Sequence, residues 1–171
     1  MGENIMIKTD PNLKSHFSYQ TGVSLLLPLD WKEVERPGFA ASYLSTAAQN
    51  PAPSLGIQVF PGGEASQGYH QVVQMMLDMP LPEFKLLYKA ETTLDRYPSV
   101  IFTASWRDKT TSRPIVQHVA VVQVDAYIFP IIGLVTPEQG DIYLKIINEA
   151  IRSIRFISMI DDDYPGDQDK D

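Results

Sequence analysis

Three histidines are the side chains of this sequence that could act as a base or a metal ligand at neutral pH, because imidazole titrates at about pH 6.5. They are His16, His70 and His118, and they lie in three separate segments without an HExxH pair or any other paired spacing. Each is therefore interpreted as an ordinary side chain. His118 lies on one side of a predicted strand with Val116 and Ala120, and we expect it to be partly buried with its hydrogen bonds made.

Residues 62–70, GGEASQGYH, have the glycines of a phosphate-binding loop but not its other residues. Tyr69 and His70 stand where such a loop has Lys and Ser or Thr, and Glu64 would repel a phosphate. The motifs GxSxG and GxGxxG are absent, and the lack of cysteine excludes disulfides, thiolate metal sites and cysteine nucleophiles. The sequence thus predicts no catalytic residue, no metal and no cofactor, and a protein that is not an enzyme.

The net charge of −7 comes mostly from one end of the chain. Residues 161–171, DDDYPGDQDKD, hold six aspartates and one lysine, so the rest of the chain carries only −2. This nearly neutral body has no cluster of lysine and arginine, which argues against nucleic acid as a partner. We expect residues 161–171 to form a disordered acidic tail.

The sequence has no run of about 18 apolar residues, so no membrane-spanning helix is predicted. Its first twenty residues include Glu3, Lys8, Asp10 and Lys14 and lack the apolar core of a secretory signal. These features predict a cytoplasmic protein. The alternative is the periplasm or the thylakoid lumen, if a signal peptide has been removed.

Alternation of apolar and polar residues predicts most of the strands. In VSLLL, Val23, Leu25 and Leu27 lie on one side, and Pro28 ends the strand because it lacks a hydrogen-bond donor. Trp31 follows a turn and is interpreted as a cover over the edge of the core. Further strands are predicted at residues 39–44, 55–60, 84–94, 99–106, 114–124 and 126–135.

Two segments have the spacing of amphipathic helices. Residues 68–79 carry one apolar stripe, formed by Tyr69, Val72, Val73, Met76 and Leu77. The second helix is predicted to begin with TPEQ, with Thr136 as N-cap, Pro137 at the first position and Gln139 at the capping-box position. Its buried side is predicted to consist of Tyr143, Ile146, Ile147, Ala150, Ile151 and Ile154.

This order of elements predicts an α+β fold with two principal helices and a mainly antiparallel sheet of about six to seven strands. Two helices are narrower than such a sheet, so we expect them to cover one face at most. The hairpin of residues 114–135 is apolar on both sides, and its second side needs another cover. We expect one of three covers: residues 1–16 together with 31–38, a second copy of the chain, or a bound partner.

Several segments in a fixed order carry a resemblance to a known family. They are LPLDW, the GIQVF strand leading into GYHQVVQMML, LPEFKLLYKAETTLDRYPSVIFTASW, the apolar hairpin and the helix IYLKIINEAIRSIRF. This order resembles the PsbP-like superfamily, which includes the photosystem II P subunit, Mog-type Ran-binding proteins, and bacterial DcrB-like and Eag-type proteins. The resemblance covers residues 17–160 and implies a single α/β/α-sandwich domain. Residues 1–16 lack periodicity and are predicted to form a loose arm.

The block from LPEFKLL to TASW is most similar to the Eag-type chaperones of type VI secretion, which implies a cytoplasmic dimer that holds apolar effector segments. The function predicted is therefore a non-catalytic protein-binding module, a chaperone or adaptor that holds an apolar partner segment or a second copy against one sheet face. The predicted partner-binding residues are Ile101, Val119, Val121, Phe129 and Ile131. The alternatives are a PsbP-like accessory or assembly subunit of photosystem II, or a protein that binds a small ligand or a metal.

Overall fold

The computed structural model describes residues 12–47, 51–62 and 68–157. Helix α1 spans Gly68–Leu77 and helix α2 spans Gly140–Arg152, and a 3-10 turn at Pro137–Gln139 leads into α2. The strands are β1 Leu13–Ser18, β2 Val23–Pro28, β3 Trp31–Glu33, β4 Ala41–Ser45, β5 Ser54–Ile57, β6 Phe60–Pro61, β7 Lys85–Leu94, β8 Tyr97–Arg107, β9 Pro114–Val124, β10 Tyr127–Val135 and β11 Arg155–Phe156.

The strands form two antiparallel sheets. The large sheet has the order β3-β4-β5-β10-β9-β8-β7, and β6 pairs with the beginning of β10. The small sheet has the order β1-β2-β11. The predicted class is confirmed: the fold is α+β, with two helices and mainly antiparallel strands.

The two helices pack on opposite faces of the large sheet. On the side that we call the α1 face, Tyr69 and Val73 of α1 pack with Val100 and Phe102 of β8 and with Val121 of β9. On the opposite side, the α2 face, α2 and the small sheet share one core, which includes Leu25, Ile147, Ile151, Ala120 and Ile131. The helices therefore do not combine to cover one face, and each contributes to the cover of a different face. The central strands are apolar at odd and even positions, so each face needs its own cover.

Part of the predicted N-terminal arm is a strand. β1 pairs with β2 from Leu13 opposite Pro28 to Ser18 opposite Val23, so residues 13–16 belong to the small sheet and are not loose. The pairing covers an edge of β2 that would otherwise expose unpaired backbone groups. Residues 1–11 and the predicted acidic tail at residues 161–171 lie outside the described residues.

Local sequence patterns are reproduced where they were strongest. Val23, Leu25 and Leu27 are buried, whereas Leu26 between them is 38% exposed. Trp31 is 3% exposed and belongs to the core of the α2 face. At the start of α2, the backbone N–H of Thr136 donates to Oε1 of Gln139 at 3.0 Å, as the capping-box spacing predicts.

Two tight turns set the register of the long strands. Asp95 and Arg96 have φ angles of 47° and 67°, the left-handed pair that a two-residue hairpin turn requires, and Leu94 lies opposite Tyr97. In the β9–β10 hairpin, Asp125 has a φ of 53° and Val124 lies opposite Tyr127. Each turn fixes which residues face each other along the whole hairpin.

We expect Gly133→Ala to lower the free energy of unfolding by about 1–3 kcal/mol. A Cβ at Gly133 would lie 2.5 Å from Cγ2 of Ile147, so α2 would have to move away from β10. Gly140→Ala is the matched control, because its Cβ would lie 3.7 Å from Leu144 Cδ1, an ordinary contact. Urea denaturation measures both variants, and equal midpoints would contradict the close approach of α2 to the sheet.

Candidate functional site

The five residues predicted to bind a partner lie inside the protein. Ile101, Val119, Val121, Phe129 and Ile131 are each at most 5% exposed. They do not share a face, because Val119 and Val121 belong to the core under α1 and the other three to the core under α2. The prediction that these five residues form a single exposed binding face is therefore corrected.

The register of the β9–β10 hairpin explains the correction. Phe129 lies opposite Val122 and Ile131 opposite Ala120, and residues directly opposite in an antiparallel pair point to the same face. The odd-numbered residues of β10 therefore share a face with the even-numbered residues of β9. The even-numbered residues of β10 share the other face with the odd-numbered residues of β9. The turn at residues 125–126 sets this relation.

The three histidines also lie apart. His70 on α1 is exposed, with Nε2 at 3.4 Å from Oε1 of Glu91. His118 is buried between β9 and α2, where Nε2 lies 3.0 Å from Oδ1 of Asn148 and Nδ1 lies 2.8 Å from Oγ1 of Thr103. An amide oxygen only accepts, so Nε2 of His118 donates to Asn148 and Nδ1 accepts from the Thr103 hydroxyl. His118 is thus the partly apolar, hydrogen-bonded residue that its sequence position predicts.

His16 lies between the small and large sheets, with its ring centroid 5.1 Å from that of Tyr43. Burial lowers the pKa of His16, and Lys14 lowers it further against the opposing effect of Glu33. Burial, together with the charge of Glu33, raises the pKa of Tyr43 to about 12. Tyr43 is therefore neutral at physiological pH and cannot act as a base there.

α1 leaves part of its sheet face open. The helix has ten residues and is about 15 Å long, which is shorter than β8 and β9. Beyond it lies a groove of about 490 Å3, which we call the α1-face groove. Its apolar lining consists of the half-buried side chains Leu44, Trp106, Ile115 and Leu134, from β4, β8, β9 and β10.

Two guanidinium groups line the α1-face groove. Arg36, in the loop between β3 and β4, lies 4.5 Å from the ring centroid of Phe39, and burial lowers its pKa, although an arginine stays charged at neutral pH. Arg113 is exposed just before β9. Neither has a carboxylate partner among the described residues. The groove therefore combines an apolar floor with unpaired positive charge.

The polar groups beside the floor differ in whether they have hydrogen-bond partners. Asp108 accepts hydrogen bonds from the backbone N–H and the hydroxyl of Thr111 at 2.9 and 2.7 Å, and these bonds lower its pKa. Nε1 of Trp106 is buried and has no acceptor among the described residues. An unpaired buried donor costs about 1–3 kcal/mol, and Nε1 of Trp106 is not exposed to the groove.

The wall of the groove depends on a glycine. The ring of Phe39 lies against Gly56 in the space that a side chain would occupy. The guanidinium group of Arg36 in turn packs over the ring of Phe39. Sequence patterns placed Leu44, Trp106, Ile115 and Leu134 on strands, but they did not show that these strands meet at one groove, and they did not reveal Arg36. The place of Arg36 and Leu44 at the groove follows from the pairing of β4 into the sheet, for which no local signal exists.

A larger cleft of about 910 Å3 lies between the end of β1 and residues 33–42. Its lining mixes aromatic residues such as Phe17 with charged ones such as Glu33 and Glu35. The exposed lining of this cleft is about as polar as it is apolar, whereas that of the α1-face groove is mostly apolar, which is typical of ligand sites. We therefore take the α1-face groove as the candidate site.

Neither a metal centre nor a membrane span emerges from residues 12–47, 51–62 and 68–157. No group of three or more histidine, aspartate or glutamate side chains in these ranges could hold a metal ion. No helix in the same ranges is long and apolar enough to cross a bilayer. The charged groups described at the candidate site are Arg36, Arg113 and Asp108, beside an apolar floor that suits binding.

No protein-family model and no curated protein matches this sequence. The structure is similar to LpqN, involved in cell envelope biogenesis of Mycobacterium tuberculosis, with 15% identity over 85% of this chain and 91% of LpqN and a TM-score of 0.64. It is also similar to cyanobacterial PsbP from Synechocystis sp. PCC 6803, with 12% identity over 90% and 98% and a TM-score of 0.59.

A third similar structure is that of PA94 from Pseudomonas aeruginosa, a protein of unknown function, with 15% identity over 83% of this chain and 95% of PA94 and a TM-score of 0.52. Identities this low show the fold alone. The chain therefore has a PsbP-like fold, as the order of its sequence segments implied.

We expect the free energy of unfolding to fall as the pH is lowered from about 7 to 5, by up to about 1.4 kcal/mol per pH unit for each buried histidine. Burial lowers the folded-state pKa values of His118 and His16, so below the unfolded value the unfolded chain binds protons that the folded chain does not. The contribution of these histidines to the free energy of unfolding is therefore fully present above the unfolded-state pKa and is lost as the pH falls below it. Urea denaturation across this range tests it, and His118→Gln should give a shallower slope. An unchanged slope in His118→Gln would contradict the prediction.

Proposed function

We propose that this protein is a non-catalytic accessory module that binds an apolar segment of a partner protein in the α1-face groove. The observation that carries the proposal is the open apolar floor beside α1. Leu44, Trp106, Ile115 and Leu134 are only half-buried there, whereas Phe102 and Val121 on the same face are fully buried under α1. Clustered apolar side chains in a concave surface gain free energy when a partner excludes water from them.

The polar groups of the groove suggest the chemistry of the partner segment. The unpaired guanidinium groups of Arg36 and Arg113 favour a segment with carboxylates beside its apolar residues. The partner segment that fits is thus apolar and carries carboxylates beside its apolar residues.

The finer assignments rest on sequence resemblance. The likeness of the LPEFKLL to TASW block to Eag-type chaperones supports a cytoplasmic chaperone of secretion effectors. The similarity in fold to cyanobacterial PsbP favours a second candidate, a photosystem accessory subunit, which would place the protein in the thylakoid lumen. Both candidates bind a protein partner and not a small substrate, so the same experiment tests the binding that they share.

The test is site-specific photo-crosslinking. A benzophenone amino acid at Ile115 should capture a defined partner in a lysate of the source organism, and the same probe at Ile142 should not. Ile142 is a suitable control because it is an apolar residue, 66% exposed, on α2, which packs on the opposite sheet face.

Charge placed on the floor should then reduce binding. We expect Ile115→Asp to weaken capture of the same partner, measured with a probe at Leu134, by at least about tenfold, because the interface would have to desolvate an unpaired charge. Ile142→Asp should leave capture unchanged, and circular dichroism verifies that both variants are folded. Equal capture from both probe positions, or capture that survives Ile115→Asp in a folded protein, would contradict the proposed site.

A further inference from the structure

β7 is a long edge strand with a free side. It ends the order of the large sheet and pairs only with β8 among the described strands. Its ten residues are exposed except Ala90, Thr92 and Leu94. A long exposed edge presents a row of unpaired N–H and C=O groups, which is a template for pairing with another strand.

The exposed side chains of β7 are partly apolar. Leu86, Leu87 and Tyr88 are 42%, 50% and 55% exposed. Sheets commonly protect such edges with a short strand or a bulge. Here a bulge at Leu87 interrupts only the first part of the strand, and the pairing with β8 is regular from Tyr88 to Leu94.

The turn after β7 determines which backbone groups are free. Asp95 and Arg96 form a two-residue turn, so Leu94 and Tyr97 are a hydrogen-bonded pair. Hydrogen-bonded positions alternate along an antiparallel strand. Thr92 and Ala90 therefore bond to β8, whereas the N–H and C=O groups of Thr93, Glu91 and Lys89 point to the free edge.

We infer that this edge pairs with β7 of a second copy of the chain, antiparallel and with a two-fold axis at Ala90. In that register Lys89 lies opposite Glu91 of the partner copy, and Glu91 opposite the partner's Lys89. Both residues present free backbone groups, so each pair closes with two hydrogen bonds. At the axis the two small Ala90 side chains meet. Opposite charges directly across an antiparallel pair stabilise it.

The side chains are on compatible faces. Lys89 lies opposite Phe102 and Glu91 opposite Val100 in the β7–β8 pair, so both point to the α1 face. A two-fold axis perpendicular to the sheet keeps each face on its own side, and the charges of both copies therefore meet on one surface. α1 packs over β8 and β9 and reaches β7 through the contact of His70 with Glu91 at 3.4 Å. The free edge itself is uncovered by either helix.

The pairing would join two large sheets into one and double the surface that carries the α1-face groove. The centre of this dimer interface lies away from the groove, because Ala90 is opposite Ile101 in the β7–β8 pair, whereas Trp106 of the groove lies near the other end of β8. The inferred dimer can therefore be tested independently of the partner binding proposed above.

Charge exchange tests the register. Sedimentation velocity on the full chain should show a concentration-dependent dimer. Lys89→Glu and Glu91→Lys, each alone, should raise its dissociation constant by about tenfold or more, because both symmetric pairs become repulsive. The double variant with both changes restores opposite charges and should return the constant to within about threefold of the original.

Two further variants separate the edge from general charge effects. Lys89→Pro removes an N–H that points to the free edge and leaves the β8 ladder intact, so it should weaken the dimer with the fold preserved by circular dichroism. Lys32→Glu, on the short edge strand β3 at the other end of the sheet, should have no effect. A chain that stays monomeric at all concentrations, a dimer that none of the β7 variants weakens, or a double variant no better than the single ones would overturn the inference.

Discussion

Burial of the three central strands on both faces is the constraint on which the rest of the structure depends. β8, β9 and β10 form a continuous antiparallel meander whose odd and even residues are both apolar. Val119 and Val121 lie under α1, and Ala120 and Val122 lie under α2. Each face must be shielded from water, so the two helices separate to opposite sides and the small sheet adds to the cover of the α2 face.

The two covers are unequal, and this difference creates the candidate site. The α2 face has a thirteen-residue helix and the small sheet, and Gly133 lets Ile147 approach the backbone of β10. The α1 face has a helix of ten residues and side chains such as Phe84, without a second sheet. Where this helix does not reach, the floor of the groove remains half-exposed and Phe39 with Arg36 closes only one side. The groove is thus a consequence of helix length relative to strand length.

The two edges of the large sheet are also unequal. β3 has three residues, a length that limits pairing with other chains, whereas β7 has ten residues and an apolar start. The small sheet protects β2 on both sides with β1 and β11. The described part of the large sheet therefore combines one short edge strand, β3, with one edge, β7, that is suited to association.

The sequence by itself determined the elements: the stripe of α1, the capping box of α2, the alternation of β2 and the long hairpins all follow from local periodicity and turn residues. The order of these elements was sufficient for the fold class. Tertiary structure alone decided that the helices lie on opposite faces, that residues 13–16 pair as β1, and that Phe129 and Ile131 face away from Val119 and Val121. It also brought Arg36 and Leu44 to the groove. The physical reason is that a pattern of alternation shows that a strand has two sides, but only the pairing register and the packed helices determine what each side contacts.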